Sequence, residues 1–302
     1  MKQRVIAIAI FWLFLAIRAP RFFEAGNLRD IAVANAPDLI VAIGMTLVIV
    51  AGEIDVSVGS QFAVASVVAG TLAKFGAPLP LVALLTAVAG GLLGAVNGIV
   101  VAALGVPSIV ATLAAMAFWR ESLRWYTQGA WVQGLPPTFQ WMGFSQRTGE
   151  IAILALTAIL FAVFLWSMRR LQAGRAVYAV GSQRESARLA GIPVQWISFG
   201  VFVLAGALTG IGALLDSVRF SQIQSNSGTG LELKAISAVV IGGASITGGK
   251  GTLWGTLLGA AVLAAIAPSL TFLGVNAFWE KAIQGAIILS AVAFEKVSAR
   301  AR

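Results

Sequence analysis

Glu53 and Asp55 are the most conspicuous polar pair in the sequence, because small and apolar residues flank them on both sides. Two carboxylates this close could bind a cation, carry a proton or line a polar pathway. On a regular helix, residues two apart would not share a face, whereas on unwound backbone both could point into one cavity. The alternative is a loop at the rim of a membrane, with both carboxylates in water.

Asn97 and Thr112 are further polar candidates in otherwise apolar surroundings. Polar groups inside membrane segments are costly and mark functional sites by default. Asn97 and Thr112 could each equally make a hydrogen bond between helices, and that interpretation is favoured for Thr112.

Several classes of chemistry are excluded by residue type. The chain has no Cys and no His, which removes disulfides, thiol chemistry and His-based metal or general-base sites. The glycine-rich segment 243–252 superficially resembles a phosphate-binding loop, but Ala244 stands where the first Gly belongs and Gly251 where Ser or Thr belongs. Glu53 and Asp55 could form the carboxylate dyad of an enzyme, but no second catalytic cluster in the sequence supports this. We therefore predict neither an enzyme nor a bound cofactor, and any ATP hydrolysis must come from a partner.

The composition indicates a chain surrounded by lipid. It is 59% hydrophobic and 11% charged with a mean hydropathy of +0.90, whereas a soluble domain carries about 25% charged residues. We predict an all-α polytopic membrane protein with a single domain over 1–302 and about ten transmembrane helices, some of them broken. Five apolar stretches reach spanning length and five are shorter or interrupted: 31–51, 79–104, 151–168, 196–215 and 252–273, then 5–17, 56–76, 106–125, 233–246 and 277–294.

The formal net charge of +9 is best explained by membrane topology. Lys and Arg lie at helix ends and in one loop, 169–195, so nucleic-acid binding is not expected. Ten helices place both termini and this loop in the cytoplasm, and the basic C-terminal residues Lys296, Arg300 and Arg302 agree. Arg18, Arg21 and Arg29 oppose this orientation, because it places them outside.

Glycine-rich segments in the sequence predict where helices are broken and where they pack closely. Segments 50–60 and 242–252 are small, polar and glycine-rich between apolar runs, which predicts broken helices covered by protein or a cavity. Glycines recur at four-residue spacing and predict close helix packing within the monomer: Gly90, Gly94 and Gly98, then Gly251, Gly255 and Gly259.

The loop 174–193 has the pattern of a short helix outside lipid. Ser182 followed by Glu185 fits a capping box, and Gly191 with Pro193 fits a helix end. A short capped helix flanked by arginines suits insertion into a groove of a soluble partner. The alternative is a solvated loop whose arginines only fix topology.

Three segments together resemble the permease subunits of sugar ABC importers, a family that includes ribose, xylose, rhamnose and autoinducer-2 permeases. They are 52–60, 174–193 and 233–252, and the resemblance covers nearly the whole chain in order. The first commonly reads Gly-Gly-Ile-Asp-Leu-Ser-Val-Gly-Ser, so Glu53 departs from it and Asp55, Ser57 and Gly59 carry over more safely. Segments 129–137 and 273–281 look most like rhamnose-type permeases.

This resemblance implies a multi-pass protein of the bacterial inner membrane that works in a complex. Its partners would be ABC ATPase subunits, a second permease subunit and a periplasmic sugar-binding protein, with ATP bound by the ATPase. The loop would contact the ATPase through Gly174, Arg175, Tyr178, Gly181, Glu185, Arg188 and Gly191. The translocation pathway would include Glu53, Asp55, Ser57, Asn97 and Thr112. The rival hypotheses are an ion-driven secondary transporter using Glu53 and Asp55, and a membrane enzyme acting on lipids.

Overall fold

The computed structural model of the protein describes residues 2–276, 278–286 and 289, with side-chain environments from residue 9 onward. Over these residues the chain is helical and has no β-strand, although one isolated antiparallel bridge joins Val132 and Ile223. The α-helices in chain order are α1 (Lys2–Arg18), α2 (Ala25–Val50), α3 (Val58–Lys74), α4 (Leu79–Gly98), α5 (Ser108–Thr127), α6 (Gln146–Arg170), α7 (Gln172–Ser182), α8 (Arg184–Leu189), α9 (Val194–Ser217), α10 (Leu231–Ile241) and α11 (Leu253–Phe272). Residues 279–286 are also helical.

Five helices of the described chain are long and apolar enough to cross a membrane. They are α2, α4 with the π-helical turn Ile99–Ala103 that continues it, α6, α9 and α11. These helices correspond to the five long apolar stretches of the sequence, so the prediction of a polytopic helical protein is confirmed.

The predicted count of about ten transmembrane helices is not confirmed, because the remaining helices fall short. The apolar part of α1 is Ala9–Arg18, α3 has 17 residues, and α5 carries Arg120, Glu121 and Arg124. With 11 residues, α10 is roughly 16 Å long, about half of a bilayer core. The last predicted stretch, 277–294, lies partly outside the described residues. Lys296, Arg300 and Arg302 lie wholly outside them.

The core forms around α2 and α9. Every residue of α2 from Ile40 to Val50 is buried, and α2 contacts α6, α9, α10 and α11. The glycine stripe of α4 packs on α9, where a Cβ added at Gly90 or Gly94 would collide with backbone of Gly206 or Phe202. The predicted close packing within the monomer is thus confirmed for α4.

The second predicted glycine stripe is only partly helical. Gly255 and Gly259 pack α11 against Gly242 and Ala238 at the end of α10. Gly251 has a φ of +156° and precedes α11, so it does not belong to the helical stripe. The four-residue spacing misled here because Thr252 caps α11, accepting a hydrogen bond from the amide of Gly255 at 3.0 Å.

The two long loops lie at opposite ends of the bundle. Loop 128–145 contacts the segment after α9, where the amide of Trp141 donates to the carbonyl of Val218 at 2.7 Å. Loop 171–193 follows the other end of α6, whose 25 residues span about 37 Å. This separation is what the predicted topology requires, and the assignment of the second end to the cytoplasm stays a prediction.

Both predicted helix interruptions are present. The backbone is non-helical from Ala51 to Ser57, and it turns again between α10 and α11. Gly52, Gly248 and Gly249 have positive φ values of +82°, +87° and +69°, which an L side chain rarely adopts.

A third interruption, 218–230, was not predicted. It lies between α9 and α10 and is partly exposed, and its first half bonds to loop 128–145 through Val218 and Ile223. Its later residues pack on α3 and α5. Here the carbonyl of Gly228 lies close to Gly59 of α3, and Ser227 accepts a hydrogen bond from Arg120 at 3.1 Å.

Candidate functional site

The unwound segment before α3 is organised around Asp55, whose side chain is fully buried. Its Oδ1 accepts hydrogen bonds from the amide and the hydroxyl of Ser57, at 2.8 and 2.6 Å. Its Oδ2 accepts from Nε2 of Gln61 at 3.0 Å. Asn97 of α4 donates to Ser57 Oγ at 2.7 Å and approaches both carboxylate oxygens at 3.4 Å. These neutral donors satisfy the carboxylate and fasten the turn to α3 and α4.

The start of α5 provides acceptors for two amides of this segment. Ser108 Oγ accepts from the amide of Ile54, and Thr112 Oγ1 accepts from the amide of Val56, both at 3.1 Å. Thr112 also donates to the carbonyl of Ser108 at 2.8 Å. Thr112 and Asn97 thus both make hydrogen bonds across the bundle, but their partners lie in the unwound segment and not in a second helix.

Glu53 faces away from Asp55, towards the loop between α6 and α9. Its side chain is 5% exposed, and Oε1 accepts a hydrogen bond from Nη2 of Arg184 at 2.6 Å. The same Nη2 lies 2.6 Å from Oγ of Ser198 in α9. The structure therefore does not bring the two carboxylates together, and the interpretation with both in water is wrong, because both are buried by protein partners.

The two predicted helix interruptions and the loop meet at one place. Gly181 of α7 lies directly against the carbonyl of Val50, and that carbonyl accepts a hydrogen bond from the amide of Gly249 at 2.9 Å. Tyr178 donates its hydroxyl to the carbonyl of Gly251 at 2.8 Å. Burial raises the pKa of the Tyr178 phenol, so the proton that it donates is retained at neutral pH.

The predicted loop residues separate into an inner and an outer group. Gly174, Tyr178 and Gly181 pack against the helix bundle. Arg175, Glu185, Arg188 and Gly191 are exposed. Glu185 and Arg188 form an ion pair of 2.7 Å on α8, and the hydrogen bond from Arg188 lowers the pKa of Glu185. The outer group is free to meet a partner.

The ends of α8 confirm one predicted signal and correct another. Ser182 is the last residue of α7, and the residue preceding α8 is Gln183, in an extended conformation and without a side-chain cap. The predicted capping box is wrong because Glu185 engages Arg188 instead. The predicted end is confirmed: Gly191 has a φ of +79°, and amides 191 and 192 donate to the carbonyls of Arg188 and Ala187, a Schellman motif.

Leu189 is a residue that the sequence reasoning missed. It ends α8 with 79% of its surface exposed, beside the charged pair of the same helix. A single exposed apolar residue does not by itself mark an interaction site, but Leu189 lies on α8 outside the spanning helices, so it is a contact that a docking test can remove. Its position between Arg188 and the helix-ending Gly191 was the available signal.

An open cavity of about 430 Å³ with a mixed polar and apolar lining lies in the half of the bundle distant from this loop. It is bordered by α2, α10, α11 and the helical residues 279–286, with polar lining from Asn27, Asp30, Asn35, Lys234 and Glu280. None of the predicted pathway residues lines it. Lys234 donates to Asp38 at 2.6 Å and to Asn35 at 2.8 Å, so its charge is balanced inside the bundle.

Comparison with known proteins assigns this architecture to a family. The family described as the permease component of the branched-chain amino acid transport system matches residues 27–292. The chain belongs to this permease family. It is 35% identical over 296 residues to the ribose import permease of Escherichia coli K12, covering 96% of this chain and 92% of that one. It is 32% identical to the autoinducer 2 import permease of Salmonella typhi, covering 96% and 84%. No solved structure matches.

Membership settles several expectations drawn from the sequence. The predicted resemblance to permeases of the ribose and autoinducer-2 type is confirmed. This permease is a multi-pass inner-membrane transport component, not an enzyme, and carries no cofactor itself. An ATPase that uses the ATP and a substrate-binding protein are the partners that an ABC importer permease implies. The rival hypotheses of a secondary transporter and a lipid enzyme are therefore not retained.

Proposed function

We propose that this permease forms the translocation pathway of an importer for a monosaccharide, delivered by a periplasmic binding protein. The names of its relatives support this, since they import ribose and autoinducer 2. Rhamnose, suggested by segments 129–137 and 273–281, is one candidate sugar. The family description names branched-chain amino acids, which makes leucine the natural competing substrate to test. A second permease subunit completes the pathway in this proposal.

The observation that carries the coupling role is the two-sided loop α7–α8. Its inner side touches both unwound segments through Gly181 and Tyr178. Its outer side presents Arg175, Arg188 and Leu189. A cytoplasmic ATPase that binds the outer side would move backbone that is in direct contact with the interrupted helices. This arrangement supports ATPase docking over the alternative of a merely solvated loop.

In this proposal, the pathway residues hold the unwound segment in a position that closes the translocation pathway. Asp55, Ser57 and Asn97 hold the unwound segment against α3 and α4, while Thr112 holds it against α5. Glu53 connects the same segment to the loop. Movement of the loop would shift the unwound segment and open the translocation pathway. The cavity beside Lys234 is the proposed access from the opposite side, because it combines apolar lining with amides and carboxylates that can bind hydroxyl groups.

Uptake measurements test the transport function. The partner ATPase is first identified by co-purification with the permease. The two proteins are then co-expressed, reconstituted in proteoliposomes and supplied with the cognate binding protein. D-ribose, L-rhamnose and L-leucine are offered as radiolabelled substrates with and without enclosed ATP. ATP-dependent uptake of a sugar supports the proposal. Uptake of leucine alone, or sugar uptake independent of ATP, contradicts it.

A matched pair of substitutions tests docking. Leu189→Ala removes the exposed apolar side chain on α8, and we expect less ATPase to co-purify. Leu84→Ala is the control, because Leu84 is 60% exposed on α4, near the end distant from the loop. Equal ATPase recovery from both variants would refute docking through Leu189.

A further inference from the structure

We propose that Arg184 and Glu53 form a positioning pair that fixes α8 to the unwound segment and passes its displacement to the turn around Asp55. This inference deepens the proposed coupling function and rests on it for its consequence in transport. The pairing itself is independent of any partner, because both side chains belong to this chain.

The geometry carries the inference. One guanidinium nitrogen joins three parts of the fold: Arg184 begins α8, Glu53 lies in the unwound segment, and Ser198 lies in the first turns of α9. The two bonds from Nη2 are each 2.6 Å long. The residues lie 131 positions apart in sequence, so the pair joins segments that local structure would not hold together.

Burial shows which partner depends on the other. The Glu53 side chain is 5% exposed, whereas that of Arg184 is 51% exposed. A carboxylate excluded from water needs its cation, while the guanidinium remains partly hydrated without Glu53. Loss of Arg184 therefore leaves a buried, unpaired charge and displaces the segment that carries it. Loss of the charge on Glu53 is the milder change.

The connection continues to the predicted pathway. Glu53 is two residues from Asp55, whose carboxylate is held by Ser57, Gln61 and Asn97. A pull on Arg184 thus reaches α3 and α4 through a short run of backbone.

A rescue experiment tests the pair in the full-length permease in lipid nanodiscs. Spin labels are placed through Ser186→Cys on α8 and Phe75→Cys at the far end of α3, both exposed, in a chain without native Cys. We expect Arg184→Gln to broaden the distance distribution by about twofold, and Arg184→Gln with Glu53→Gln to restore much of the original width, since coupled residues are non-additive. Arg124→Gln, which breaks the exposed pair with Glu121, is the control and should change nothing.

Two results would overturn the inference: an unchanged distribution in Arg184→Gln, or a double variant as broad as the single one. The second result would mean that Arg184 acts alone. Transport per ATP hydrolysed is measured in parallel with ATPase co-purification. We expect coupling in Arg184→Gln to fall by about fivefold or more and to recover in the double variant. Failure of the ATPase to bind wild-type permease would refute the proposed function and leave the spin-label result intact.

Discussion

Gly181→Ala is the most direct test of the contact between the loop and the unwound segments. A Cβ at this position would overlap the Val50 carbonyl oxygen and lie 2.8 Å from the amide nitrogen of Gly249 and 2.9 Å from the carbonyl carbon of Ala51. All three neighbours are backbone atoms, so none can rotate away. The chain must separate α7 from the end of α2.

The magnitude follows from two costs and one gain. Forced separation of a packed contact costs about 1–3 kcal/mol, and losing the hydrogen bond from Gly249 to Val50 adds about 1 kcal/mol. Replacing Gly by Ala inside a helix returns about 1 kcal/mol. We expect a net loss of about 1–3 kcal/mol, which corresponds to roughly 2–5 °C in the unfolding midpoint for a chain of 302 residues.

The assay is thermal unfolding of the purified permease in detergent, followed by the fluorescence of its nine Trp residues. Gly200→Ala in α9 is the matched control, because a Cβ there meets nothing within 4 Å. The control should melt at or slightly above the wild-type temperature. If Gly181→Ala also did so, the contact between the loop and Val50 would not exist as described.

Three further predictions use the same assay. Asp55→Asn places an amide donor among groups that already donate, so it should lower the free energy of unfolding by about 2–3 kcal/mol. Glu121→Gln, at an exposed carboxylate, is the control and should cost less than about 0.5 kcal/mol. Equal unfolding midpoints for these two variants would contradict the buried cluster around Asp55. Tyr178→Phe leaves the Gly251 carbonyl without its donor and should cost about 1 kcal/mol, whereas an unchanged midpoint would mean that water replaces the phenol. Gly94→Ala should cost about 1–3 kcal/mol because its Cβ would meet the Phe202 backbone. Gly26→Ala is the control, because a Cβ there meets nothing within 4 Å. Equal unfolding midpoints for the two variants would argue against close packing of α4 on α9.

The sequence was sufficient to predict features that depend on local composition. Long apolar runs gave the spanning helices, clusters of small and polar residues gave the breaks at 51–57 and 242–252, and Gly191 gave the end of α8. Each of these features depends on residues close together in the chain. Their physical causes, namely burial in lipid, backbone freedom and helix capping, are therefore readable from one segment.

Features that depend on distant partners could not be predicted. The contact of segment 218–230 with Gly59 of α3 joins residues that are far apart in the chain, so no local pattern indicates it. Ser182 has the right spacing for a cap, but Arg188 competes for Glu185 and α7 extends over Ser182. The partner of Glu53 lies far along the chain, so its burial and its pairing became visible only in the folded protein.

The contacts of the loop differ in stiffness, and this difference bears on how force would pass through the permease. At Gly181 the contact joins backbone to backbone, so displacement of α7 has no flexible side chain to absorb it. At Arg184 the contact runs through two long side chains, which rotate before they transmit force. Loop movement should therefore displace the Val50 end of α2 more than the Asp55 turn. In permease trapped with ATP, we expect thiol labelling to change more at Ala51→Cys than at Ile54→Cys, each compared with the ATP-free state. A larger change at Ile54→Cys would place the primary route through the ion pair.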